Sequence, residues 1–163
     1  MLYLWMPEGQ APWRWRTTAE WHSADNWDDL LAATVPEQRR EVTVFFPTSS
    51  AQMMRQPMTR SQLRQLGPSG VRYMLEEYAL GSVEQLDLRY EMNNAEQVTL
   101  LALPADTVSA YVGALALGPW HLTALLPDFL LLPHVEGRAT LLLDGPTRLL
   151  RTDEWMGMPA DDL

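Results

Sequence analysis

The chain has 163 residues, a net charge of −9 and no cysteine, which by length makes it one domain or a two-lobed piece of something larger. Its apolar fraction of 47% suffices for a real core, while the negative charge argues against nucleic acid as a partner. Without cysteine there are no thiol nucleophiles, iron–sulfur ligands or zinc ribbons, and the redox compartment stays open.

All 12 basic residues are arginine. The missing lysine removes a Walker-type phosphate loop and any Schiff-base chemistry. His22, His121 and His134 are isolated and lack metal spacing, so no metal and no other cofactor is expected. Pro7 and Glu8 interrupt the apolar start and no basic n-region precedes it, so no secretory leader is expected. The most apolar stretch, "LTALLPDFLLLP", is broken by Pro127 and Asp128, short of the roughly 18 apolar residues that a span needs.

The charge is polarised. From Arg39 to Arg72 there are six arginines (39, 40, 55, 60, 64, 72) against Glu41 alone; from Glu76 to Glu136 there are nine acids against Arg89 alone. Two readings hold: an ordinary solvated surface, or a face that steers a protein partner of opposite charge.

In chain order, "LYLWMPEGQAPWRWRT" reads as a β-hairpin over residues 2–17, with Trp13 and Trp15 on one face and Arg14 and Arg16 on the other. Five of the seven Trp precede residue 28, and large aromatics on one strand face are more often core than a binding box. "SADNWDDLLAAT" predicts a helix capped by Ser23 or Asp25. "EVTVFFP" reads as a buried strand, and "TSSAQMMRQPM" as a strand edge or loop. Thr59 and Gln62 form a capping box. After Gly67-Pro68-Ser69-Gly70, "VRYMLEEYAL" predicts a helix over 71–80 with Val71, Met74, Leu75 and Tyr78 on one face.

"VEQLDLRYE" places Leu86, Leu88 and Tyr90 inward and Asp87 and Arg89 outward; Asn93-Asn94 turns the chain and "QVTLLALP" returns. "DTVSAYVGALALGP" predicts a helix capped by Asp106, with Val108, Tyr111, Val112 and Leu115 buried and a stop at Gly118-Pro119. "WHLTALLP" is a strand. "ATLLLDGPTRLLRTDEW" is a hairpin turning at Asp144-Gly145, and "RLLRTDEW" echoes "WRWRTTAEW", which suggests a duplicated fold whose second copy is truncated. The tail "MGMPADDL" is expected to fray.

Taken together, Tyr73 to Glu77, Val83 to Leu86, Pro127 to Pro133 and Leu141 to Gly145 resemble, in order and spacing, the cytoplasmic region of type II secretion system protein L (the GspL family). The resemblance runs from about Phe45 to Arg151; Arg72 stands where the family usually carries a proline. It implies an α/β fold of actin-like, RNase H-like lobes with mixed β-sheets and packed helices, related to PilM and FtsA. The domain reading is a first lobe at 1–137 with an inserted subdomain at approximately 48–104, then at 138–163 the opening hairpin of an incomplete second lobe and an acidic tail.

The function so implied is a non-catalytic scaffold at the cytoplasmic face of the inner membrane. It would recruit the secretion ATPase GspE through that ATPase's N-terminal domain, alongside GspM and GspF. Membrane attachment would run only through a transmembrane helix absent from this chain, and a homodimer is left open. The alternative is an actin-like ATPase, which cradles phosphates with two Asp-x-Gly-type hairpin turns. Here the first turn has no Asp and carries Pro7, and Pro146 in the second deletes an amide that a phosphate needs.

Glu76 and Glu77 are consecutive on a helix, so they point about 100° apart and do not converge on one substrate atom. Glu76 lies one turn beyond Arg72, in the less favourable order for an ion pair. Solvated acids or a docking face are the readings left, and for docking the candidates are Arg72, Glu76, Glu77, Glu84 and Asp87.

Overall fold

The computed structural model describes residues 1–9, 11–34, 40–76 and 83–161. In chain order the elements begin β1 (Leu2–Trp5), β2 (Trp13–Arg16), β3 (His22–Ala24), α1 (Trp27–Thr34), β4 (Arg40–Phe46) and β5 (Gln52–Pro57). They continue α2 (Arg60–Glu76), β6 (Leu86–Met92), β7 (Gln97–Pro104), α3 (Ala105–Ala116) and β8 (Trp120–Pro127). The chain closes with β9 (Thr140–Asp144), β10 (Thr147–Asp153) and β11 (Met156–Pro159).

Three sheets result, ordered β3-β2-β1-β4-β8, β5-β7-β6 and β11-β10-β9. In the first, β1 is antiparallel to β2 and β2 to β3, whereas β4 runs parallel to both β1 and β8. The other two are antiparallel meanders.

The hairpin at residues 2–17 forms as expected, and β1 is apolar at every position because both of its faces are covered. Leu2 and Leu4 join Val42, Val44, Leu30, Leu115 and Trp120 on the helix side. Trp5 and Phe45 join Leu132 and Leu149 on the other, where the C-terminal meander packs. Trp13 and Trp15 are core neighbours, and Trp13 meets Trp27 edge-on at 4.8 Å.

Several local expectations are corrected. Helix α1 is capped by Asn26, whose Oδ1 accepts the Asp29 amide at 2.8 Å, while Ser23 lies in the unforeseen strand β3 and Asp25 donates its amide to Asp29. Pro104, not Asp106, precedes α3; its fixed φ suits a helix start, and Asp106 sits in the first turn. Leu115 is fully buried, but Val112 is exposed. The tail does not fray up to Ala160: β11 pairs with β10, and the Ala160 amide donates to Arg148 at 3.0 Å. A tail of small and apolar residues closes the meander against Phe129, which lies close to Gly157.

The capping box is present in both directions, with Thr59 N to Gln62 Oε1 at 2.9 Å and Gln62 N to Thr59 Oγ1 at 3.1 Å. Helix α2 bends at Gly67, whose φ of 63° and ψ of 179° interrupt the helical backbone, and Pro68 begins its second half with a pre-set φ. The expected helix at 71–80 is that second half as far as Glu76; residues 77–80 lie outside the described residues. Val71 and Leu75 pack on Leu86, Leu88, Val98 and Leu100, the inward face of β5-β7-β6.

Candidate functional site: a groove between two open strand edges

Strand β8 ends the five-stranded sheet and β6 ends its own, so each leaves one edge unpaired among the described residues. The two edges border a groove of about 650 Å³. Thr123, Ala124, Leu125 and Leu126 all line it. Side chains alternate across a strand, so four successive residues line one cavity only where the strand presents its edge.

The opposite wall is the face of β5-β7-β6 turned away from α2. Met53, Leu101 and Arg89 form one cross-strand row there, and Leu103 with Asp87 another. Phe46, Phe129 and Trp155 line it as well, and α3 contributes Val108. Thr99 also lines the groove; it is 5% exposed, and its Oγ1 is buried without a hydrogen-bond partner.

Next to Trp155 a polar junction joins β10 to the three-stranded sheet. Asp153 of β10 meets the Arg55 guanidinium at 2.8 Å and accepts from Asn93 Nδ2 at 3.2 Å. Burial pushes the Asp153 carboxyl up, but its bonds from Arg55, the Trp155 amide and Asn93 outweigh that and hold it below the usual carboxylate range.

The candidate residues do not share one surface. Asp87 lines the groove and is exposed. Arg72 reaches from α2 to the Leu86 carbonyl at 2.9 Å, tying the helix to the start of β6. Glu76 is exposed at the end of α2, on the opposite side of the three-stranded sheet from Asp87, and Glu84 is exposed in the turn before β6. Glu77 lies outside the described residues. The groove residues of β8 escaped the sequence reading, although a signal existed: Ala124, Leu125 and Leu126 are apolar at both strand parities with no charge to protect an edge.

The two turns of the phosphate-cradle reading lie near each other. Glu8 from the first, with Pro146 and Thr147 from the second, lines a cavity of about 20 Å³ beside Thr48 and Asp128. That is room for about one water molecule. Asp128 there is 1% exposed, and burial raises its carboxyl above the ordinary value despite bonds from Thr48 and Trp5. Among the described residues no cluster of three His, Cys, Asp or Glu is placed to hold a metal, and no helix is long and apolar enough to cross a membrane.

No family model and no curated protein sequence matches the chain. Solved structures do match. The cytoplasmic domain of EpsL, an inner-membrane component of the type II secretion system of Vibrio cholerae, aligns with a TM-score of 0.79 at 20% identity, over 96% of this chain and 69% of that one. This chain has the fold of that domain. The PilM–PilN type IV pilus biogenesis complex aligns with a TM-score of 0.57 at 16% identity, over 91% of this chain and 56% of the matched one. The expected α/β architecture of the actin-like kind is therefore borne out, and the resemblance drawn from four short motifs has its counterpart in a solved protein L. At these identities the likeness is one of fold, and the chain spans about two thirds or less of the length of either neighbour.

Proposed function

We propose that this chain is a non-catalytic scaffold unit of a secretion platform of the type II kind, acting at the cytoplasmic face of an inner membrane. The observation that carries the reading is the match to the EpsL cytoplasmic domain over nearly the whole chain, in the fold that four short motifs had suggested. The second neighbour, a pilus complex of two named proteins, also favours assembly work over catalysis. The partner in this reading is the secretion ATPase GspE, engaged through its N-terminal domain, with GspM and GspF as further platform partners.

The ATPase alternative draws little from the geometry. Its two phosphate turns carry prolines where amide donors are wanted, and the space beside them is about 20 Å³. The deciding experiment is co-purification and calorimetry with the isolated N-terminal domain of the secretion ATPase. A stoichiometric complex is expected; no binding at tens of micromolar would reject the recruitment role.

A further inference from the structure

We propose that Arg16 anchors a protein-docking site that takes one Asp or Glu carboxylate, presented by a partner protein with an apolar side chain beside it. The proposal stands apart from the reading above. It concerns the face of the five-stranded sheet turned toward the C-terminal meander, and it holds whichever protein supplies the acid.

The site follows from the pattern of β2. Residues two apart share a sheet face, and Arg14 and Arg16 lie in register with Trp5 and Tyr3 of β1. Both guanidinium groups rest on aromatic rings. Arg14 lies over Trp5 at 5.3 Å, and Arg16 lies over Tyr3 and over Trp21 at 5.0 Å each. Such stacking fixes the planar cation and uses none of its N–H donors. Arg14 shows what completes the arrangement: its Nη2 pairs with the Asp144 carboxylate at 2.5 Å, supplied from the end of β9.

Arg16 has the rings and lacks the carboxylate. Among the described residues no acid lies within ion-pair distance of it, and its Nε is buried without a hydrogen-bond partner. The cation has therefore lost part of its hydration without gaining a counter-charge. A carboxylate that meets the Nη edge makes two parallel charge-assisted bonds there.

Three observations choose a protein carboxylate over a phosphate or a lipid surface. Arg14 is already neutralised, so one guanidinium faces one negative charge, whereas a phosphate group carries nearly two and suits an arginine cluster. The net charge of −9 opposes an anionic bilayer and also a run of acids, so the segment carries a single one. The surroundings have the composition of an interface hot spot, with Trp, Tyr and Arg together. Trp21 is 37% exposed and Met1 52%, the Met1 sulfur lying beside the hydroxyl of Thr43, which is in register with Tyr3. An apolar side chain next to the acid covers this surface.

The test is an array of twelve-residue peptides with a fixed central Asp among randomised apolar positions, matched by arrays with Asn or phosphoserine in its place. The purified chain should bind a subset of the Asp peptides with dissociation constants below about 1 mM, and none of their Asn counterparts. Adding a bound peptide should shift the Arg16 guanidinium signals in nitrogen-15 spectra. Arg16→Lys keeps the charge but loses the fork, and should weaken binding about tenfold. Trp21→Ala, at an exposed position, should weaken it several-fold. Melting temperatures are read alongside, and Trp21→Ala decides the matter if Arg16→Lys fails to fold. The proposal is overturned if no Asp peptide binds, if the Asn peptides bind equally, or if the variants leave binding unchanged. Preference for the phosphoserine peptides, or binding of phosphatidylglycerol vesicles that Arg16→Lys removes, would overturn it in favour of a phosphate group.

Discussion

Thr48 and Asp128 are joined twice: the Thr48 amide donates to Asp128 Oδ1 at 2.9 Å, and its hydroxyl donates to the same oxygen at 2.6 Å. The other oxygen accepts the Trp5 indole N–H at 3.0 Å. One carboxylate thus pins the end of β4 and the turn after β8 to the first strand. Asp128→Ala would strand three buried donors, at a cost of about 3 kcal/mol or more. Asp128→Asn keeps the acceptor oxygen and should cost less. Urea unfolding of the two variants measures the difference, and equal costs would mean that the bonds matter less than the volume.

The second prediction concerns acid. The Asp153 carboxyl is held below its ordinary value in the folded chain, so its contribution is present above the unfolded aspartate value of about 3.9 and is lost as pH falls through the folded one. Asp128, raised by burial, has the opposite sign: its contribution is complete below that unfolded value and is lost as pH rises through the folded one. Asp153→Asn should therefore flatten the acid limb of the melting profile, and Asp128→Asn should flatten its decline at higher pH. Thermal melts from about pH 3 to pH 7 read both.

These two aspartates also mark what the sequence made legible. Elements with a strong period or apolar run were readable: the first hairpin, β4, the β6–β7 pair, α3 and the turn at Asp144-Gly145. So was the capping box at Thr59 and Gln62, whose chemistry lies within four residues. Strand β3 was not, because "HSA" has no apolar pattern and forms by pairing with β2. Strand β11 was hidden in "MGMP", where Gly157 reads as a breaker but in the fold clears the Phe129 ring. The groove arises from two edges that are some thirty residues apart in sequence, and no local signal records that they face one cavity.

Gly157→Ala tests the C-terminal meander directly. An added Cβ would overlap the Phe129 ring at Cγ, and Phe129 is 2% exposed. Overpacking of this kind costs about 1–3 kcal/mol, whereas a frayed tail would tolerate alanine without loss. Denaturant midpoints of wild type and variant discriminate the two outcomes.

For nucleotide, saturating ATP with magnesium should leave the melting temperature unchanged. A ligand at a hundred times its dissociation constant adds about 2.7 kcal/mol, an easily measured shift. Stabilisation by ATP would restore the ATPase reading and require the small cavity between the two turns to open.

The last prediction asks which side of the three-stranded sheet meets the ATPase domain. Glu76 lies on the α2 side and Asp87 on the groove side, so the acidic stretch beginning at Glu76 is split between two surfaces. Glu76→Arg reverses the first, and Asp87→Arg with Glu91→Arg reverses the second. Exposed substitutions like these usually move stability by about 0.5 kcal/mol or less, so melting temperatures should hold. If the partner presents a basic patch, association slows as salt rises from about 50 to about 500 mM, because the screening length shrinks to a few ångströms. The reversal that removes this salt dependence identifies the docking side. Loss with the first reversal alone puts the ATPase domain on the α2 side, and loss with the second alone puts it on the groove side. Binding that survives both reversals and high salt would move the interface to an apolar surface away from either acidic side.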